Sequence, residues 1–176
     1  MTNILLTCNV TDANPAVTFF TWKKDDSMIS GTATYTIPIV KRSHAGSYTC
    51  SAANSVGVSD PSTALQLEVL YGVKLIIVSI KEPVEGTRLT VTCNGQSNPA
   101  ITDNDVTWTK QNNITFIRKG RLLLVDNVNR LDSGTYVCSV VIELLPSISQ
   151  PINVTGRTTV EVDVLCKYYI TFAFGL

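Results

Sequence analysis

The sequence is short of the side chains most enzymes work with. A single histidine, His44, stands among 176 residues. Any Ser–His–Asp or Cys–His relay would therefore have to be built on it. It sits in the turn cluster Ser43-His44-Ala45-Gly46 and reads as a solvated turn residue. The same shortage nearly excludes a Cys/His zinc site, and Cys8, Cys50, Cys93 and Cys138 are too far apart for CxxC spacing. Neither sign of charge dominates, with 14 basic against 14 acidic residues. There is thus no basic footprint for nucleic acid or an anionic membrane. No apolar run reaches the roughly 18–20 residues that span a bilayer. Nothing ahead of Cys8 has the basic and apolar regions of a secretory signal, so the sequence reads as part of a longer protein. The acidic clusters Asp25-Asp26 and Asp103-Asn104-Asp105 lack the glycine, spacing and distal glutamate of a calcium loop, and read as loop polarity. No catalytic residues, metal site, cofactor, nucleic-acid partner or small-molecule substrate is indicated.

What remains is a duplicated pattern. Cys8, Trp22 and Cys50 recur as Cys93, Trp108 and Cys138, at offsets of 85, 86 and 88 residues. Thr7-Cys8-Asn9 matches Thr92-Cys93-Asn94, and Asn14-Pro15-Ala16 matches Asn98-Pro99-Ala100. Tyr35, Ile37, Val40, Gly46, Tyr48 and Cys50 fall at the spacings of Leu123, Val125, Val128, Gly134, Tyr136 and Cys138. Such a period is too long for a solenoid unit and fits two tandem domains. Within each copy apolar residues alternate: Ile4, Leu6, Cys8 and Leu89, Val91, Cys93, then Leu65, Leu67, Val69 and Val160, Val162, Val164. Side chains two apart share one strand face, so these runs predict half-buried strands. Turn clusters separate them, which predicts a β-sandwich or barrel and no helix of useful length. The cysteines read as disulfide partners in an oxidising compartment, and their number alone leaves the connectivity open.

The Cys–Trp–Cys frame resembles the immunoglobulin superfamily, in its I-set or C2-type tandem arrays. Asp132-Ser133-Gly134-Thr135-Tyr136-Val137-Cys138 carries the whole DxGxYxC motif, whereas His44 replaces the Asp in the first copy. Cys50-Ser51-Ala52-Ala53-Asn54-Ser55-Val56-Gly57 looks like the family's CxAxNxxG hairpin, whose Asn and Gly suit a turn needing positive φ. The resemblance implies an all-β fold of two antiparallel, Greek-key sandwiches. It implies the disulfides Cys8–Cys50 and Cys93–Cys138, core tryptophans Trp22 and Trp108, and tyrosine corners at Tyr48 and Tyr136. It also implies an ion pair from Asp132 to a basic residue, here Arg118, that the first copy lacks. The domains read as 1–70, starting at strand B and lacking strand A, and 71–165. Residues 166–176 form an apolar tail, unstructured or truncation-derived, with Cys166 as the odd cysteine.

The family resemblance implies binding rather than catalysis. The expected role is a protein-binding module of a cell-adhesion or recognition ectodomain, extracellular or at the cell surface. Its partners would be other cell-surface or extracellular proteins, engaged homophilically or heterophilically. The alternative is an intracellular muscle-filament array, in which the cysteines would be reduced. The longer second F–G segment offers Leu144, Leu145 and Ile148 as a partner contact, against packing on the domain's own edge. Asn9, Asn113 and Asn153 head N-glycosylation sequons.

Overall fold

The computed structural model describes residues 3–79, 82–147 and 149–166. Among these there are strands and three short 3-10 turns, with no α-helix. The chain divides into two units, Met1–Val69 and Leu70–Leu176.

In unit 1, β1 (Ile4–Thr7) pairs antiparallel with β4 (Thr34–Ile37). A second sheet has the order β3 (Ser27–Ser30), β2 (Phe19–Lys24), β5 (Gly46–Ala53), β6 (Leu65–Leu67). In unit 2, β11 (Leu122–Val125), β8 (Leu89–Asn98) and β7 (Tyr71–Ser79) form one sheet. The other runs β10 (Asn113–Lys119), β9 (Val106–Lys110), β12 (Gly134–Leu144), β13 (Ile152–Val162). Every pairing within these sheets is antiparallel. In immunoglobulin lettering, β1 and β8 are strand B and β5 and β12 are strand F. The β1 edge away from β4 has no partner strand among the described residues.

The period-2 pattern explains which residues meet. Alternate residues of β12, from Tyr136 through Cys138 and Val140 to Ile142, are all buried. Trp108 is the cross-strand partner of Cys138, and Trp22 that of Cys50. Directly opposed side chains share a face and lie within packing distance, so each indole is set against its sulfur bridge. The bonds join Cys8 to Cys50 at 2.02 Å and Cys93 to Cys138 at 1.97 Å. In the chain-entropy model a closed loop of this size contributes on the order of 4 kcal/mol. The unit 1 core is small: Leu6, Cys8, Trp22, Ile37, Tyr48 and Cys50. Unit 2 buries more, including Leu89, Val91, Val106, Trp108, Leu123 and Val128.

Two details differ from the sequence expectations. Leu65 is 49% exposed although its strand alternates, because β6 is a three-residue edge strand. The Asn54–Gly57 turn has no positive φ at either Asn54 or Gly57. Its hairpin is held by the Asn54 side chain instead. Oδ1 accepts from the N–H of Val56 at 2.9 Å and of Gly57 at 3.3 Å, and Nδ2 donates to the Pro15 carbonyl at 2.8 Å. An Asx side chain thereby supplies the turn that backbone torsion was expected to supply. Positive φ lies at other turns, such as Asp25 and Asp26 between β2 and β3.

Candidate binding face

The tightest local geometry surrounds the motif before each second cysteine. Tyr48 Oη donates to the His44 carbonyl at 2.7 Å, and Tyr136 Oη to the Asp132 carbonyl at 2.8 Å. These are two tyrosine corners. Burial pushes the Tyr136 phenol up to about 12, with the nearby Asp132 carboxylate adding to it. Tyr48 is raised in the same direction, again chiefly by burial. Gly46 and Gly134 follow the turns at φ +148° and +130°, where an L side chain is strained.

The turn itself is closed by a side chain reaching back three residues. Asp132 Oδ2 accepts from the Asn129 N–H at 2.9 Å. In unit 1 His44 Nδ1 accepts from the Lys41 N–H at 2.8 Å, so imidazole does the work of the carboxylate. The expected Arg118–Asp132 ion pair is not formed. Arg118 donates to the Ile117 carbonyl at 3.0 Å and lies over the Phe116 ring at 4.9 Å. It lies on edge strand β10, where the neighbouring ring and carbonyl hold the guanidinium.

The acidic clusters are likewise committed to structure. Asp105 Oδ2 accepts from the Thr102 N–H and hydroxyl, each at 2.7 Å. Asp103 pairs with Arg121 at 2.8 Å, and that hydrogen bond lowers its carboxyl. Asp25 is lowered by Lys24, which donates to it at 2.6 Å, and by the Ser47 N–H. No group of three or more candidate metal ligands occurs among the described residues.

The outward side chains are what a partner could meet. On β12 the residues between the buried ones, Val137, Ser139, Val141 and Glu143, face away from the core. Val137 lies opposite Thr109, which lies opposite Ile117 on β10. Val141 is 46% and Ile117 54% exposed, so this sheet carries apolar side chains on its solvent face. Leu144, expected as a contact, is instead partly buried and packs against the core. It continues the inward register of β12, which pairs with β13 as far as Leu144 and Ile152. Leu145, one residue further, is 63% exposed. Ile148 lies outside the described residues. Asn9, Asn113 and Asn153 are all exposed, and Asn113 Oδ1 accepts from the Thr115 hydroxyl at 2.8 Å. Cys166 is free and exposed. Ile117 and Val141 were missed in the sequence; their places opposite or between core positions could have marked them.

The geometry defines a class: tandem disulfide-bonded β-sandwiches whose buried face is structural and whose outer face is open. A family model described as "Immunoglobulin domain" matches residues 2–69 and 75–155. The chain belongs to the immunoglobulin-domain family. The chain is 30% identical over 138 residues to B-cell receptor CD22 of Mus musculus, covering 77% of this chain and 16% of that protein. It is 30% identical over 140 residues to Kin of IRRE-like protein 2 of Homo sapiens, covering 77% and 19% respectively. The chain therefore spans less than a fifth of the length of these curated relatives. Among solved structures, the IG1+IG2 pair of DIP-gamma superposes with a TM-score of 0.63 at 17% identity, covering 93% of this chain and 89% of that one. The titin fragment A168169 gives 0.54 at 20% identity, covering 92% and 90%. Both likenesses speak to fold alone.

Proposed function

We propose that the chain is a non-catalytic protein-binding module of a cell-surface or extracellular recognition protein. The observation that carries this reading is the bonded cysteine pair in each unit, since such bonds persist in oxidising compartments. The relationship to a B-cell receptor supports it. The contact is made by the outer face of β10, β9, β12 and β13, with Ile117, Val141 and Leu145 as its apolar points and other extracellular proteins as its partners. Exposure of all three sequon asparagines supports glycosylation of the secreted product.

A tetramerised chain, presented to an array of extracellular domains, should capture a partner. Val141→Lys combined with Leu145→Ser should weaken that capture at least tenfold while both disulfides and the unfolding midpoint persist. Unchanged capture rejects the face. Thiol counting on native protein should find four protected cysteines and a reactive Cys166. Five reactive thiols would instead indicate a reduced, intracellular filament-type array.

A further inference from the structure

A sequon lies on the outer face of unit 2, and strand register fixes where. β12 and β13 pair from Gly134 opposite Val162 to Leu144 opposite Ile152. Along β13, exposed Asn153, Thr155, Arg157 and Thr159 alternate with half-buried Val154, Gly156, Thr158 and Val160. Val154 packs against the core. A strand's period of two therefore turns the amide and the hydroxyl of Asn153-Val154-Thr155 to the solvent side together. The cross-strand partners agree. Glu143 stands opposite Asn153 and Val141 opposite Thr155, and both partners face away from the core. Directly opposed side chains share one face, so the sequon lies on the face that carries Val141.

The same register separates the two ends of that face. Val141 precedes Glu143 by two residues on β12, about 7 Å along the strand. Val137, whose row runs through Thr109 to Ile117, precedes Glu143 by six, roughly 20 Å. Asn113 falls in the row of Lys110 and Tyr136, at the far end of the sheet from Asn153. Within unit 2, Asn153 is thus the sequon asparagine beside Val141. Its side chain makes no hydrogen bond among the described residues. Asn113 differs, because its Oδ1 accepts from the Thr115 N–H at 3.2 Å and hydroxyl at 2.8 Å.

We propose that an N-linked glycan on Asn153 covers the Val141 end of the outer face and closes it to protein partners, leaving the Ile117 end open. The inference rests on that face being the contact surface. The donor is a lipid-linked oligosaccharyl diphosphate of the secretory lumen. Asn153 Nδ2 bonds to the anomeric carbon, the anomeric C–O bond to the diphosphate breaks, and one amide proton is lost as the diphosphate leaves. The attached glycan is bulky and hydrated, and Val141 is a single row of outward side chains away from its root. The chain then exists in two forms. With Asn153 occupied, partners reach Ile117 and Val137; with Asn153 bare, they reach the whole face.

The test uses the full chain, secreted from a glycosylating host with Cys166→Ser to remove the free thiol. Mass spectrometry of the Asn153 peptide should find it occupied. Val141→Cys and Ile117→Cys then report access, read as the rate of reaction with a polyethylene-glycol maleimide. Asn153→Gln should speed labelling of Val141→Cys at least tenfold and change that of Ile117→Cys less than twofold. Thr155→Ser keeps the sequon and should keep the slow rate, whereas Thr155→Val should lose both glycan and shielding. Glu143→Cys, directly opposite Asn153, is a second reporter and covers the case in which Val141→Cys is not secreted. Three results overturn the proposal: a bare Asn153 in the secreted chain, equal labelling of Val141→Cys with and without the glycan, or equal slowing of Ile117→Cys. Capture by the array of extracellular domains separates this from the face itself. Asn153→Gln should raise capture at least tenfold, and adding Val141→Lys should cancel the rise. Shielded labelling with capture unmoved by either change refutes the binding face, whereas unshielded labelling refutes the placement of the glycan.

Discussion

The side chain that reaches back across the turn before each tyrosine corner can be weighed. Asp132 holds the Asn129 N–H at 2.9 Å, and His44 holds the Lys41 N–H at 2.8 Å. A hydrogen bond to a charged group contributes about 1.5–3 kcal/mol and a neutral one about 0.5–1.5 kcal/mol. Both turns are open to water, which takes over part of each lost bond, so the lower ends apply. Asp132→Ala should then cost unit 2 about 1.5 kcal/mol, and His44→Ala should cost unit 1 about 0.5 kcal/mol. His44→Asp keeps the acceptor, adds charge, and should leave unit 1 at least as stable as the parent. Arg118 makes no contact with Asp132, so the loss in Arg118→Ala/Asp132→Ala should be the sum of the single losses to within about 0.5 kcal/mol. The assay is urea unfolding followed by hydrogen exchange on peptides from each unit, which keeps the two midpoints apart. A coupling above about 1 kcal/mol between Arg118 and Asp132 would restore the ion pair and refute this account. So would an Asp132→Ala midpoint indistinguishable from the parent.

Gly46→Ala and Gly134→Ala should each lose about 1–3 kcal/mol, because both glycines hold positive φ. The loss should be greater at Gly46, where an added Cβ would lie 2.6 Å from Asp25 Oδ2; the nearest atom at Gly134 is Lys110 Cε at 3.4 Å. Denaturation midpoints in the reverse order would contradict the geometry. Tyr136 is pushed up to about 12 by burial, so the protonated phenol is favoured in the folded state. Its contribution is complete below the ordinary phenol value of about 10 and is lost as pH rises from there towards 12. Ultraviolet titration should show this phenol ionising last. Tyr136→Phe should remove that part of the alkaline stability loss and cost about 1 kcal/mol at neutral pH.

The framework was legible because its constraints repeat. A cysteine, a tryptophan opposite the second cysteine and a tyrosine two before it each leave a residue type at a fixed spacing. What failed to show was which of several available partners a polar side chain takes. Asn54 signalled a turn correctly, yet its amide rather than its backbone torsion holds that turn. Asp132 signalled a partner, and the partner was an amide three residues away instead of Arg118. His44 seemed a departure from the motif because the family pattern names an acid; the geometry asks only for an acceptor. Leu144 and Leu145 look alike in sequence, and one step of strand register sends the first to the core and leaves the second in water.

That step of register also explains why specificity is harder to read than fold. The residues the two copies share are those that face inward or close a turn: the cysteines, tryptophans, tyrosines and motif glycines. Their common chemistry follows from a common packing problem, and it says nothing about what the molecule meets. The residues facing outward on β12, Val137, Ser139, Val141 and Glu143, alternate with core positions whose burial is nearly complete. Each can change without touching the sulfur bridge, the indole or the tyrosine corner behind it. A binding face built this way is free to diverge as fast as its partner does.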